Sequence, residues 1–279
     1  MEDRLEQYKR DGFTLFEGAY DETQMQAWRE EQDRLEEVSV GPSSQSRNWW
    51  FGNMLERAPH LMWPAVCNPM VLDFMERVVG PFVQLDNLTL AAFPPQEKEG
   101  PEAKKCAWHR DRWGHMPTGQ YERPLSFNAI CYLQDLTDAS GPLRVIRGSH
   151  IDPVALSGDE PSQPHPDEEL LYLKAGDLVL THSCLLHSGT PNTSGAKRYF
   201  FSVYYKISWL KHTDTFEGPN CRQLIDWASS RNDHRSLRLL GRDAHLQARA
   251  NSGFQVGDEE RWAGWLQADR EAVREDDAS

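Results

Sequence analysis

The chain has 279 residues, with 30 Lys and Arg against 43 Asp and Glu and a net charge of −13 at pH 7; it can form one large domain or two modest ones. The acidic balance excludes nucleic-acid binding through overall charge, which needs Lys and Arg in excess, and no stretch approaches the ~20 apolar residues of a membrane span. The five cysteines, Cys67, Cys106, Cys131, Cys184 and Cys221, include no CxxC pair, so neither a disulfide framework nor a zinc finger is expected. With no apolar targeting core at the start, a reducing cytoplasm suits the chain.

The first 80 residues read as helices. Leu5 and Tyr8 mark a short one that Asp11-Gly12 ends, and Phe13–Phe16 follows as a brief strand. Asp21 with Gln24 resembles a capping box opening a helix to about Val38, with Met25, Trp28, Leu35 and Val38 on one face. After a Gly-Pro-Ser-Ser loop the aromatic run Trp49-Trp50-Phe51 is expected on a loop. A third helix starts at Asn68-Pro69, turns Leu72, Met75 and Val79 inward and stops at Gly80-Pro81.

From Phe82 the texture changes to strands: 82–93, 125–133, 143–146, 170–173, 178–181, 185–187 and 198–208, each fenced by Gly, Pro, Asn or Asp. This punctuation predicts a β-sandwich or barrel, of which the jelly roll is one member. Between these strands, 154–169 is rich in Pro, Ser and acid and reads as a surface insertion or active-site lid. After Trp209 the chain turns polar and helical to its acidic end.

Chemistry concentrates in two places. In Trp108-His109-Arg110-Asp111 an extended backbone would send His109 and Asp111 to one side. A neutral imidazole and a carboxylate form two legs of a facial metal site, and two His plus one carboxylate suit a non-haem Fe(II) oxygenase. The kinase reading of His-Arg-Asp fails for want of a Gly-rich loop, a strand lysine and a correctly spaced Asn. The second place is Gly176–His187, an apolar strand ending on a histidine, with Arg198 beginning the returning strand eleven residues later. His187 can then complete the metal site beside a guanidinium able to grip a carboxylate in two places.

These pieces, in order with Asp138-Ala139-Ser140-Gly141-Pro142-Leu143-Arg144-Val145-Ile146-Arg147-Gly148-Ser149-His150, make the chain resemble the phytanoyl-CoA dioxygenase family of Fe(II)/2-oxoglutarate-dependent oxygenases, from about Tyr8 to about Tyr205. The resemblance implies a double-stranded β-helix (jelly-roll, cupin-like) core over 82–209. Helical regions at 1–81 and 210–279 would complete a single oxygenase domain, because His109 and His187 must reach one iron. It implies His109, Asp111 and His187 as iron ligands and Arg198 as partner of the distal carboxylate of 2-oxoglutarate. Asn192 matches a position near that cosubstrate, and Asn128, sharing a strand face with Ile130, is the hydrogen-bonding member of the strand bordering the pocket.

It further implies that O2 is a cosubstrate and that oxidative decarboxylation of 2-oxoglutarate to succinate and CO2 drives oxidation, by default hydroxylation, of a small organic substrate. Asp111 argues against a halogenase, in which a small residue replaces that carboxylate. Two departures stand out: Arg147 where the family usually has Pro, and Gly189 where it often has a hydroxyl that helps the arginine. His182 and His150 read as structural hydrogen-bonding residues. Trp49 and Trp50 are candidates to cap the pocket, Trp113 to wall it together with Trp108, and His115 to line its entrance, with packing or solvation as the plainer readings of all of these.

Lys104, Lys105, Arg110, Arg112 and Arg123 could make a locally positive mouth, which an acyl-CoA substrate would require. The Asp-Ala-Ser ending is no peroxisomal address, and a substrate of specialised or amino-acid-like metabolism is the preferred expectation. Two alternatives, a jelly-roll metalloenzyme that does not use 2-oxoglutarate and a non-catalytic binding protein, sit poorly with Arg198 and with an intact ligand set.

Overall fold

The computed structural model describes residues 2–39, 49–96, 107–111, 116–156, 162–252 and 256–274. Trp113 and His115 lie outside them, as do Lys104, Lys105 and Arg112 of the expected basic mouth and part of the 154–169 insertion. Among the described residues no helix is long and apolar enough to cross a membrane.

The elements follow in the order α1 (Glu2–Asp11), β1 (Phe13–Phe16), α2 (Glu22–Ser39), β2 (Trp50–Phe51), α3 (Met54–Arg57), α4 (Pro59–Val66), α5 (Pro69–Val79) and β3 (Val83–Phe93). Then come β4 (Ser126–Tyr132), β5 (Leu143–Ile146), β6 (Glu168–Leu171), β7 (Leu178–His182), β8 (His187–Gly189) and β9 (Arg198–Ile207). The chain continues with α6 (Pro219–Ser230), α7 (His234–Leu239), α8 (Leu246–Ala250) and α9 (Asp258–Ala272). A six-stranded sheet has the order β1-β7-β4-β9-β3-β2 and a three-stranded sheet the order β6-β5-β8. All the registered pairs are antiparallel, which is the jelly-roll core with flanking helices.

Residues gather into two compact units, 1–51 with 89–202 and 52–88 with 203–279, divided within β3 and β9. In the first, both sheets turn apolar side chains onto a common core: Leu143 and Val145 from the small sheet, Ile130, Tyr132, Val179 and Phe200 from the large one. Period-two alternation selects these residues, so β5 sends Leu143 and Val145 inward and Arg144 and Ile146 to its other face. Ile146 instead joins Trp108 and Leu186 in a second cluster, covered by Val154 and Leu156 of the insertion.

Several local expectations are realised by identifiable contacts. Asp21 accepts from Gln24 N at 2.8 Å and Asn68 from Met70 N and Val71 N, capping α2 and α5. Val38, expected on the inner face of α2, is 68% exposed. Its place is taken by Gln32 and Glu36, which are buried together through a 2.9 Å hydrogen bond, with Glu36 also held by Lys197. Trp50-Phe51, expected on a loop, forms an edge strand paired with Ala91 and Leu90. Strand β6 lies two residues earlier than expected, because Leu171 pairs with Leu143 in register and Glu168 with Ile146.

The second unit carries α3 to α9 on ionic as well as apolar contacts. Glu76 and Asp269 are both buried against Arg238, and Asp269 also pairs with Arg249. Lys206 and Asp86 form a fully buried ion pair at 2.7 Å. Lys206 Nζ also donates to Lys211 O at 2.5 Å, and Asp86 Oδ1 accepts from Thr213 N at 2.7 Å, stapling the 211–213 turn to the strands.

Candidate metal centre

Two segments 78 residues apart in sequence meet through a reciprocal backbone pair: His109 N donates to His187 O and His187 N to His109 O, both at 3.1 Å. Directly paired residues of an antiparallel ladder present their side chains to the same face, and the two imidazole centroids are 4.3 Å apart. Two residues on, Asp111 returns to that face. One ligand atom from each of His109, Asp111 and His187 lies within 4.8 Å of the others.

Hydrogen bonding decides which nitrogen each ring offers. His109 Nδ1 is 2.8 Å from Ala107 O and His187 Nδ1 is 3.1 Å from Leu185 O. A carbonyl only accepts, so both Nδ1 atoms hold the proton and both Nε2 atoms present a lone pair. Those Nε2 atoms stand 3.9 and 3.5 Å from the Asp111 carboxylate oxygens. Two lone pairs and a carboxylate converging in this way are a set of acceptors that a cation completes, and the N2O donor set suits iron. Burial holds the His187 imidazole below its ordinary pKa, with the Asp111 charge opposing and His109 reinforcing the shift. A neutral ring is the form that binds metal. His187 and Asp111 are buried while His109 is partly exposed, so the triad is open on the His109 side.

Asn128 is 1% exposed and donates from Nδ2 to Asp111 Oδ2 at 2.8 Å. The amide orientation follows from the partner, since its oxygen would repel the carboxylate. Strand alternation identified the face, but the contact is to the Asp111 carboxylate, which it orients, while its buried Oδ1 has no hydrogen-bond partner among the described residues.

Arg198, first residue of β9, is 4% exposed. Its Nη1 donates to the carbonyls of Ser140, Gly141 and Thr190, each at 2.8 Å. Its guanidinium carbon lies 5.2 Å from the Phe93 ring centre and 5.9 Å from that of Tyr132. These carbonyls and rings fix the guanidinium in one orientation, and its planar fork is of the kind that matches a carboxylate. Gly141, with φ +86°, makes this seat possible: a Cβ there would sit 2.5 Å from Arg198 Nη1. The Asp-Ala-Ser-Gly-Pro signature was visible in the sequence; this use of its glycine was not.

Asn192 uses its side chain within the turn between β8 and β9 and on the end of β3. Nδ2 donates to Phe93 O and Ala196 O, and Oδ1 accepts from Ser194 N and Oγ. It shapes the loop leading to Arg198. Trp49 and Trp50 pack on Phe93, with centroids at 5.7 and 6.1 Å, and Trp50 also on Phe200. They belong to the aromatic group beside Arg198, and Trp50 is 43% exposed. Trp108 is buried on the face away from the triad. Arg110 donates from Nε to Cys184 O, alternating away from the His109–Asp111 face it was expected to make positive. His182 bonds Glu122 O and accepts from Cys184 N, and His150 bonds Lys9 O, so both serve the backbone. Arg147, in the place of the usual proline, hydrogen-bonds Asp11 and Glu169 and lies over Phe13.

With this geometry in place, comparison with known proteins supplies relatives. The protein is 26% identical over 238 residues to an ectoine dioxygenase of Bordetella parapertussis, a match covering 72% of this chain and 74% of that one. It is 28% identical over 141 residues to the L-proline trans-4-hydroxylase of Streptomyces griseoviridis, covering 40% of this chain and 52% of the relative. Among solved structures, HygX from Streptomyces hygroscopicus with nickel and 2-oxoglutarate bound superposes with a TM-score of 0.61 at 15% identity. That match covers 76% of this chain and 89% of that one, a likeness of fold. The sequence model of the family named phytanoyl-CoA dioxygenase matches residues 8–200, over which the triad, Asn128 and Arg198 all fall: the chain belongs to the phytanoyl-CoA dioxygenase family of Fe(II)/2-oxoglutarate-dependent oxygenases.

Proposed function

We propose that the protein uses this centre, with Fe(II), 2-oxoglutarate and O2, to hydroxylate or otherwise oxidise a small molecule of amino-acid-like or specialised metabolism in the cytoplasm. The observation that carries the reading is the pair of imidazoles whose Nδ1 atoms are tied to carbonyls and whose Nε2 atoms face Asp111. His109, Asp111 and His187 would hold the iron, and Arg198 the distal carboxylate of 2-oxoglutarate. When bound, iron with 2-oxoglutarate and O2 supplies the oxidising chemistry, releasing succinate and CO2.

The chain's own residues prepare for this in three ways. Ala107 O and Leu185 O keep the two rings in the ligating tautomer. Asn128 holds the Asp111 carboxylate in one orientation, so the third ligand needs no reorganisation when metal arrives. Three backbone carbonyls and two aromatic rings fix the Arg198 guanidinium, presenting a charge of the right sign for a dianionic keto acid in a water-poor setting. The similarity to an ectoine dioxygenase and a proline hydroxylase supports a compact, amino-acid-like substrate over an acyl-CoA.

The test is succinate formation from 2-oxoglutarate by the iron-loaded protein, followed across a panel of amino acids and their derivatives. Substrate-dependent succinate that disappears in Asp111→Ala is expected. Turnover unaffected by that substitution, or absent in the wild type with every candidate and with added iron, would overturn the assignment.

A further inference from the structure

Behind the triad, one buried guanidinium reaches the neighbours of both histidine ligands. The β5–β8 register pairs Val145 with His187 and Arg144 with Ser188. Alternation then puts His187 on the core side of the small sheet and the Arg144 and Ser188 side chains on its back. Arg144 is 5% exposed and donates from Nη2 to Ser188 Oγ at 2.6 Å. Its guanidinium carbon lies 4.9 Å from the centre of the Trp108 ring, the residue preceding His109. The same Nη2 donates to Ser162 O at 3.2 Å, Nη1 is 3.5 Å from Glu168, and the Trp108 indole N–H donates to Gln163 O at 2.9 Å.

From these contacts we propose that Arg144 is a positioning residue for the metal centre: it clamps Ser188, beside His187, to Trp108, beside His109, from the back of the small sheet. The inference rests on the reading of His109, Asp111 and His187 as metal ligands. The need for a clamp follows from the local architecture. Strand β8 is three residues long, and His109 joins it through one isolated bridge. Among the described residues neither segment has a long ladder to define the direction of its imidazole. Side chains supporting ligands from outside the coordination sphere set ring orientation, and losing one costs roughly 10–100-fold in metal affinity. Arg144 suits this work because its planar fork serves two acceptors while its face covers an indole, which a lysine could not do. A cavity of about 330 Å³, lined by Arg144, Ser162, Gln163 and Glu168 among others, opens over the guanidinium. That cavity supplies a route for chemical rescue.

The experiment is a Co(II) titration of wild type, Arg144→Ala, Ser188→Ala and the double variant by visible absorption, with hydrogen exchange of the metal-free proteins at 108–111 and 187–189. Arg144→Ala should bind Co(II) about 10–100-fold more weakly. Millimolar ethylguanidinium should restore much of that loss through the cavity, and ethylammonium should not. Ser188→Ala should weaken binding several-fold, and the double variant should be no worse than Arg144→Ala, since the two act through one contact. Metal-free exchange at 187–189 should quicken in both single variants. Co(II) affinities within twofold of wild type, or loss in Arg144→Ala without ethylguanidinium rescue and with wild-type behaviour of Ser188→Ala, would overturn the clamp. Should Arg144→Ala not fold, the Ser188→Ala affinity decides in the same direction. A wild type that takes up no Co(II) would refute the metal-centre reading instead, and unchanged exchange at 187–189 in Ser188→Ala would then still refute the clamp.

Discussion

Gly141→Ala separates the proposed cosubstrate clamp, Arg198, from the proposed metal ligands. A Cβ on Gly141 would lie 2.5 Å from Arg198 Nη1, 2.6 Å from Thr190 O and 2.7 Å from Pro191 O, against about 3.4 Å for the onset of ordinary contact. The overlap is therefore 0.7–0.9 Å at three atoms, two of them backbone carbonyls. The third is the terminal nitrogen of a side chain, so the relief falls on Arg198. Its three 2.8 Å bonds to carbonyls cannot all survive, and one charge-assisted hydrogen bond contributes about 1.5–3 kcal/mol. The φ of +86° adds about 1–2 kcal/mol against alanine. If the first loss is carried into cosubstrate binding, the KM for 2-oxoglutarate should rise about 10–100-fold. Metal affinity measured without 2-oxoglutarate should hold, because the three atoms nearest the new methyl belong to Arg198, Thr190 and Pro191 and none to the triad. Succinate formation against 2-oxoglutarate concentration, with a Co(II) titration alongside, reads both quantities. A folded Gly141→Ala protein with an unchanged KM would refute the link between this glycine, Arg198 and the keto acid.

Three further outcomes follow from contacts elsewhere. Asn128→Ala removes the 2.8 Å bond to Asp111 and should weaken Co(II) or Fe(II) binding about 10–100-fold with less effect on the 2-oxoglutarate KM, measurable by titration calorimetry. Lys206→Met leaves the fully buried Asp86 carboxylate without its cation and should destabilise by about 3–5 kcal/mol in urea unfolding; the double change with Asp86→Leu should recover much of that. Burial alone would raise the Asp269 pKa, but Arg249 and Arg238 outweigh it and lower the folded-state value. Its contribution is therefore complete above the ordinary carboxylate pKa of about 4 and lost as pH falls through the lower folded value. Urea midpoints below pH 4 should fall more steeply in the wild type than in Asp269→Asn, which is already weaker at pH 7.

How much of this was legible in the sequence depended on range. Period-two spacing placed Asp111 beside His109, and the eleven-residue return placed Arg198 after His187, because both are local consequences of extended chain. Helix caps at Asp21 and Asn68 were legible for the same reason. Partners set by register were not: Asn128 was placed on the correct face of its strand, but its bond to Asp111 exists only once 108–111 is docked. Val38 fails as an inward residue because Glu36, a less apolar neighbour, is tied to Lys197, 161 positions away. The tryptophans at 49 and 50 had no period to argue from, since a two-residue edge strand is shorter than any alternation. The back of the small sheet was invisible for a further reason. A buried arginine such as Arg144 carries no hydrophobic signal, and its partners Ser162 and Ser188 lie 18 and 44 residues away.

The reciprocal pair between His109 and His187 also bears on the history of each molecule as it folds. If His109, Asp111 and His187 hold the iron as proposed, the His109–His187 bridge must form before the two imidazoles can share it, and a chain without that bridge offers them singly. On that reading the metal site would exist only in the folded chain, although its three side chains are present from synthesis. Iron bound there afterwards would stabilise the finished topology by RT ln(1 + c/Kd), where c is its concentration, rising with the logarithm of c.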